Sequence, residues 1–539
     1  PESSGCTWTS SRARGDALGG GVYHGLRGPG RPERAAAAGI FAAMTATEAS
    51  AGTTRARPTP EACAFVIFGV TGDLAARKLL PALWALHRDG ALHPESRIVG
   101  YARSEGDDAS LREQARTELE RYAGDVDEAA WNDLAGRLHY VRGGYDDPDG
   151  HRRLAERLAE VGLPRRLFYT ATPPATYAGI AEAMAEAGLH HAPEGGWARL
   201  VIEKPFGHDL GSARDLNDRL RAVFDEEQIY RIDHYLAKET AQNLAVLRFA
   251  NALFEPIWSN RYVDHVQITM TEPLGVEGRG DFYEQAGVVR DVFQNHLLQL
   301  LALVAMEPPA RWEADAVRDE KVKVFRAMAC PDADEAVFGQ YVAARGMRGY
   351  RDEENVDPES TQATYAAVRF EVRTWRWSGV PFYVRSGKRL EHKASEIVLH
   401  FKTPPHVPFA LPAPLKADRL VLRVTPNEGI RLVFNAKRPG QGIQLGRVSM
   451  DFAYDGRFDR PTPDAYETLL LDAMLGDATL FMRADEVEAQ WHVVRPLLER
   501  ADDGRLPHPY PAGGRGPDAA YALMERAGRY WHEPDAAAD

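Results

Sequence analysis

The sequence predicts an α/β domain built on a doubly wound parallel sheet, followed by a larger α+β domain whose sheet is mainly antiparallel. Three observations carry this prediction. A chain of 539 residues is too long for a single core. From Ala64 to Ile232 short apolar runs alternate with amphipathic stretches, the grammar of repeated βαβ units. Beyond that point the strands alternate apolar and polar residues, as a sheet with unlike faces requires.

The first sixty residues are rich in Gly, Ala, Ser, Arg and Pro, show no sustained periodicity and lack a signal-peptide core. They are expected to be disordered. Met44 opens Met-Thr-Ala-Thr-Glu like a natural start, so residues 1–43 read as upstream sequence, with a transit peptide as the alternative. Residues 61–232 then form the first domain. Its expected strands are Phe65–Gly69, Ile98–Tyr101, Leu138–Val141, Leu167–Ala171, Leu200–Glu203 and Ile229–Ile232, with helical patterns at Ser110–Tyr122, His151–Val161, Thr176–Ala187 and Ser212–Phe224.

The first strand runs into Gly69-Val70-Thr71-Gly72-Asp73-Leu74-Ala75-Ala76. The glycines allow a tight turn and close approach of backbone to a pyrophosphate, and Ala75 permits helix–strand contact. A plain turn would explain this motif alone; with the strands behind it, a Rossmann-like dinucleotide site is the stronger reading. Arg103 follows the second strand, where NAD-selective proteins carry an acidic residue. A guanidinium there suits the 2′-phosphate of NADP, although a solvated arginine competes.

Arg231-Ile-Asp-His-Tyr-Leu-Ala-Lys-Glu239 packs an acid, an imidazole, a phenol and an ammonium behind the sixth strand. If Asp233 caps a helix there, His234 and Lys238 share one helical face at an anion-attracting terminus. The second domain, residues 233–539, follows. Its strands are centred on Val266-Ile268-Met270, Val368-Phe370-Val372, Ile397-Leu399-Phe401, Leu420-Leu422-Val424, Ile430-Leu432-Phe434 and Val448-Met450-Phe452. Helices are expected at Lys238–Phe249, Val288–Met306 and Tyr466–Leu475. No flexible linker separates the two domains, so a rigid shared cleft is expected.

Oxidising an alcohol carbon needs a base for the hydroxyl proton, and an imidazole beside a carboxylate is the usual solution. Arg290-Asp-Val-Phe-Gln-Asn-His296 opens the Val288–Met306 helix with polar residues. In an α-helix Asp291 and Asn295 share a face, whereas Asp291 and His296 need not. A buried structural histidine competes, and spacing alone does not pair His296 with Asp233.

Composition bounds the function class. Asp and Glu outnumber Lys and Arg, 78 to 65, which argues against a nucleic-acid partner. Cys6, Cys63 and Cys330 offer neither a disulfide framework nor metal-ligand spacing, so a reducing cytoplasm fits and no metal is expected. The longest apolar run, Leu297–Met306, is about half what a bilayer needs, so no membrane partner is expected.

From about Cys63 onward the chain resembles the glucose-6-phosphate dehydrogenases, in a bacterial form whose Ala and Arg content looks actinobacterial. The resemblance rests on Gly69–Ala75, Gly100-Tyr-Ala-Arg-Ser, Val201-Ile-Glu-Lys-Pro-Phe-Gly207, Arg231–Glu239, Leu247-Arg-Phe-Ala-Asn251, Glu277-Gly-Arg-Gly280, Gln294-Asn-His-Leu-Leu-Gln299 and Arg385-Ser-Gly-Lys388. It implies oxidation of glucose 6-phosphate to 6-phospho-D-glucono-1,5-lactone with NADP reduced, the entry step of the pentose phosphate pathway. It also implies that His296 is the general base and Asp233 its orienting carboxylate. His234, Tyr235 and Lys238 match residues holding the 6-phosphate, and Lys204 matches a lysine meeting substrate and nicotinamide. Glu272 and Asp291 match acceptors for sugar hydroxyls, Lys388 and Lys393 cations closing the sugar-phosphate site, and Tyr177 a residue at the nicotinamide end. Assembly as a homodimer or homotetramer is expected. Ala237 stands where relatives often have Gly, a change tolerated inside a helix. Lys393 stands where they have Arg or Lys. The rival readings are a catalytically silent binding paralogue and a dehydrogenase for another phosphorylated hexose.

Overall fold

A computed structural model of the chain describes residues 58–411, 414–454 and 462–534. The expected N-terminal disorder, the Met44 start and Cys6 lie outside the described residues. Six strands form the parallel part of the first sheet: β1 (Ala64–Phe68), β2 (Arg97–Ala102), β3 (Leu138–Arg142), β4 (Arg166–Thr170), β5 (Ala198–Ile202) and β6 (Ile229–Ile232). Their spatial order is β3-β2-β1-β4-β5-β6. The order reverses between β1 and β4, and at such a point the carboxyl ends of the strands open a ligand crevice.

Alternating side chains of β1 explain the double winding. Phe65 and Ile67 enter one apolar core, with Leu79, Trp84 and Leu111, while Val66 and Phe68 enter another, with Phe168 and Ile180. Both faces are covered, so the central strand β1 is apolar throughout.

The second sheet contains β7 (Val263–Thr271), β8 (Ala336–Val342), β9 (Tyr365–Glu371), β10 (Pro381–Gly387), β11 (Ala394–Phe401), β12 (Arg419–Thr425), β13 (Gly429–Lys437) and β14 (Leu445–Ala453). Late in the chain, β15 (Phe481–Met482) crosses back to pair antiparallel with β6, and β16 (His508–Pro511) joins β8. The nine-stranded order is β14-β13-β12-β11-β7-β10-β9-β8-β16, antiparallel except for β7–β10 and β8–β16. The alternating strands of the sequence reading correspond to β7, β9 and β11–β14. β8, AVFGQYV, and β10, PFYVRSG, lack that alternation in their sequence and escaped it.

The apolar core on the Val66 side of the first sheet continues through Val266, Ile268, Phe370 and Leu399 of the second, with Phe293 and Leu297 from the helical segment packed on it. The two sheets therefore share one core. The helix Ala465–Leu475 packs with Phe481 into the opposite face of the first sheet, so this late stretch of the chain completes the architecture of the first sheet.

Candidate active site

The residues expected to meet a cofactor gather at the carboxyl ends of the parallel strands. Gly69 leaves β1 with φ +81°, and a Cβ added there would meet the Ala171 carbonyl oxygen at 2.4 Å. Only glycine fits a left-handed position this close to another backbone. Gly72 N–H donates to Gly69 O at 2.9 Å, closing the turn, and Ala76 N–H reaches Gly72 O at 3.1 Å as the helix begins. Val70 and Thr71 fill the turn, Asp73 and Leu74 open the helix, and Ala75 and Ala76 are buried. Arg103 follows β2, exposed, its guanidinium 5.5 Å from the Tyr145 ring. A glycine turn opening a helix, beside a solvent-facing guanidinium, fits a dinucleotide carrying a 2′-phosphate.

At the end of β5, Glu203 accepts from Tyr169 Oη at 2.5 Å and Tyr466 Oη at 3.1 Å. Burial raises the Glu203 pKa. Lys204 follows, its Nζ donating to Asp291 O at 2.9 Å and standing 3.5 Å from the Asp291 carboxylate. Tyr177, after Pro173-Pro174, is buried at the start of the helix Tyr177–Glu186, and burial, then Glu203, pushes its phenol pKa up.

β6 ends at Ile232 and Asp233 follows, only 1% exposed. Its Oδ1 accepts from His296 Nδ1 at 2.5 Å and from Tyr235 N–H at 3.0 Å. Burial alone would raise the Asp233 pKa, but His296, through charge and hydrogen bond, holds it down to about 2. Asp233 does not cap a helix. Residues 234–237 form a turn, Leu236 N–H reaching Asp233 O, and the helix begins at Glu239 with Lys238 at its N-cap. His234 and Lys238 are therefore brought near one another by a turn, and Ala237 lies in it rather than inside a helix. The short carboxylate of Asp233 satisfies the turn locally, which competes with helical continuation. His234 and Tyr235 place their rings 4.7 and 4.4 Å from the His296 ring. Burial, then His296, lowers the His234 pKa well below the usual imidazole range, while burial, then Glu272, raises that of Tyr235 to about 12.

His296 arrives from the second domain, 4% exposed, near the end of a π-helical segment, Val289–Leu297. The expected single helix Val288–Met306 is instead this π segment followed by an α-helix Leu298–Ala305, and the chain enters it through a non-helical kink at Gly287, φ +56°. The wider turn resolves what spacing left open: residues five apart lie closer round the axis in a π-helix than in an α-helix, which brings Asp291 and His296 toward one face. Burial lowers the His296 pKa against the raising effect of Asp233, so the ring is neutral near neutral pH.

The parallel pair β7–β10 supplies the rest. Glu272 and Lys388 are the next residues after the paired Thr271 and Gly387, and Lys388 Nζ sits 2.8 Å from Glu272 Oε2 and 3.6 Å from Asp291 Oδ2. Burial opposes charge on Asp291, but Lys204 and Lys388 hold its pKa below the usual value. Lys393 is exposed one residue before the Ala394–Thr271 pair, hence level with Glu272 but outside the buried cluster. Sequence reasoning missed Glu203 and Tyr466. An acid ending a buried strand was the available signal for Glu203; Tyr466 comes from a distant helix and had none.

A neutral imidazole bound to an ionised carboxylate can take a proton, and the surrounding cations and acceptors can hold a polyhydroxylated anion. Asp233, His234 and His296 also bring ligand atoms within 4.8 Å of one another, but the close His296–Asp233 contact already engages Nδ1. Among the described residues no helix is long and apolar enough to cross a membrane.

Comparison with known proteins gives one answer. The family model described as glucose-6-phosphate dehydrogenase, NAD binding domain, matches residues 66–243, and the corresponding C-terminal domain matches residues 245–532. The chain is 46% identical over 488 residues to a glucose-6-phosphate 1-dehydrogenase of Aggregatibacter actinomycetemcomitans, covering 88% of this chain and 98% of that one. It is 45% identical over 492 residues to one from Mycolicibacterium smegmatis, covering 88% and 98%. A solved glucose-6-phosphate dehydrogenase in complex with its substrate glucose-6-phosphate superposes with TM-score 0.83 at 37% identity, covering 89% of this chain and 100% of that one. The Mycobacterium avium glucose-6-phosphate 1-dehydrogenase superposes with TM-score 0.78 at 40% identity, covering 88% and 99%.

Proposed function

The chain belongs to the glucose-6-phosphate dehydrogenase family, and from that premise we propose that it oxidises D-glucose 6-phosphate to 6-phospho-D-glucono-1,5-lactone, with NADP+ reduced to NADPH and one proton released. The observation that carries the reading is the buried 2.5 Å pair of His296 and Asp233. His296 takes the proton of the C1 hydroxyl, and Asp233 orients the ring and stabilises the imidazolium. The bound nicotinamide supplies the acceptor for the C1 hydride. Because Asp233 is ionised and His296 neutral at the outset, the proton has one destination.

His234, Tyr235 and Lys238 hold the 6-phosphate, with Lys393 closing the site from the rim. Glu272 and Asp291 accept from sugar hydroxyls, while Lys388, in contact with both carboxylates, holds them in place. Lys204 donates at the junction of substrate and nicotinamide, and Tyr177 lies at the nicotinamide end. Gly69 to Ala76 cradle the pyrophosphate, and Arg103 reads the 2′-phosphate. Residues 61–232 thus bind NADP and residues 233–539 bind the sugar phosphate. A silent paralogue would have no use for a neutral base beside its carboxylate, and the acceptors Glu272 and Asp291 favour glucose over another hexose phosphate. The same proposal carries a cytoplasmic location, with Cys63 and Cys330 as free thiols, and a homodimer or homotetramer, which the mass in solution tests.

Steady-state assays with glucose, mannose, galactose and fructose 6-phosphates, each with NADP and NAD, test the activity. The expected result is that glucose 6-phosphate with NADP gives the highest kcat/KM; equal rates across the sugars, or none, would refute it.

A further inference from the structure

The catalytic parts arrive on three separate segments, yet one helix outside the site touches the support of each. That helix is Ala484–Ala501. Its first residue donates, through Ala484 N–H, to Glu226 Oε1 at 2.9 Å, and Glu226 pairs at 2.5 Å with the fully buried Arg231, two residues before Asp233. Trp491 Nε1 donates to Phe206 O at 2.9 Å, in the loop that begins at Lys204. Glu486 Oε1 accepts from Gln299 Nε2 at 2.7 Å, three residues after His296 on the continuing helix.

The third contact is built with unusual care. Lys321, from the helix Ala314–Ala327, sets its Nζ 2.7 Å from Glu486 Oε1 and 3.1 Å from Gln299 Oε1, closing a triangle of three side chains that are all 0% exposed. Burying two charges and an amide is costly and is not required to fill a core, since apolar residues pack as well. What such a network supplies is direction: a hydrogen-bonded amide fixes the rotation and height of its helix where apolar contacts tolerate slip. The helix it fixes needs this, because a π segment is an uncommon conformation that the sequence alone does not secure.

We propose that Gln299 and Glu486 are positioning residues: the Lys321–Glu486–Gln299 triangle locks the helix following the π segment, and so holds His296 on Asp233. The helix Ala484–Ala501 thereby sets the spacing of Asp233, Lys204 and His296 from behind. The proposal rests on His296 being the base.

The test uses the full chain with Gln299→Met, which keeps the side-chain length and leaves Lys321 and Glu486 paired to one another. The expected result is a fall in kcat of about 10- to 100-fold, with KM for glucose 6-phosphate and NADP each within about twofold of wild type. A larger primary isotope effect with C1-deuterated substrate should accompany it, because a misplaced base makes the chemical step more rate-limiting. Loss of melting temperature with unchanged kcat and isotope effect would show a purely structural role and overturn the proposal. Should that variant not fold, Lys321→Met/Glu486→Met removes both charges together with the partner of Gln299, and wild-type kcat there overturns it equally. His296→Asn, run alongside, separates the two claims. If it retains turnover, the base assignment fails; if it loses turnover while Gln299→Met does not, only the positioning claim fails.

Discussion

The glycine turn after β1 and the His296–Asp233 pair, the proposed base and its carboxylate, are built by opposite means. The turn is contiguous: strand, Gly69, Gly72 and helix follow one another in the chain, and backbone sterics alone dictate the residue types. The pair is convergent. Asp233 follows a strand of the first sheet, His296 rides a π segment packed on the second, and 63 positions of chain separate them. A contiguous site depends on local geometry; a convergent one depends on everything that fixes one domain against the other.

That contrast predicts how each site breaks. The largest effect is expected from Asp233→Asn, which leaves the backbone untouched but removes the charge that stabilises the imidazolium. It should lower kcat by at least about 10²-fold with little change in melting temperature; measured kcat within a few-fold of wild type would make Asp233 a structural acceptor only. Gly69→Ala should act by strain instead, because the new Cβ meets a backbone oxygen at a left-handed φ. A loss of about 1–3 kcal/mol in denaturant unfolding, with a raised KM for NADP, is expected. Arg103→Ala should be milder still, raising KM for NADP about tenfold and leaving that for NAD nearly unchanged, since one charge-assisted contact is lost. Equal changes for both cofactors would remove Arg103 from 2′-phosphate recognition.

The smallest effect concerns pH. The base must be neutral, and burial lowers the pKa of His296, so protonation sets in only below the ordinary imidazole value of about 6.5. The sign is that kcat/KM stays nearly flat from pH 7.5 down to that value and falls on the acid side of it. An acid limb beginning above pH 7 would mean that Asp233 outweighs burial and the pair is cationic at rest.

The same contrast explains what was legible in the sequence. The six parallel strands, the turn at Gly69 and the cation at Arg103 follow from short-range patterns, and each stands at the carboxyl end of its strand. The role of Asp233 as a helix cap failed because a side chain that accepts from Tyr235 N–H can sustain a turn just as well. The approach of Asp291 and His296 toward one face was hidden by assuming 3.6 residues per turn where the segment is π-helical. β15 and Tyr466, which complete the first sheet and hold Glu203, come from the far end of the chain, and no local pattern announces a return of that kind.

The central claim is that His296, neutral and held by Asp233, takes the hydroxyl proton. Single-turnover kinetics of His296→Asn, with glucose 6-phosphate affinity measured on the same sample, test it most directly. The predicted result is a loss of at least about 10²-fold in the rate of NADPH formation with affinity within about threefold of wild type. A variant that forms NADPH within tenfold of the wild-type rate would contradict it.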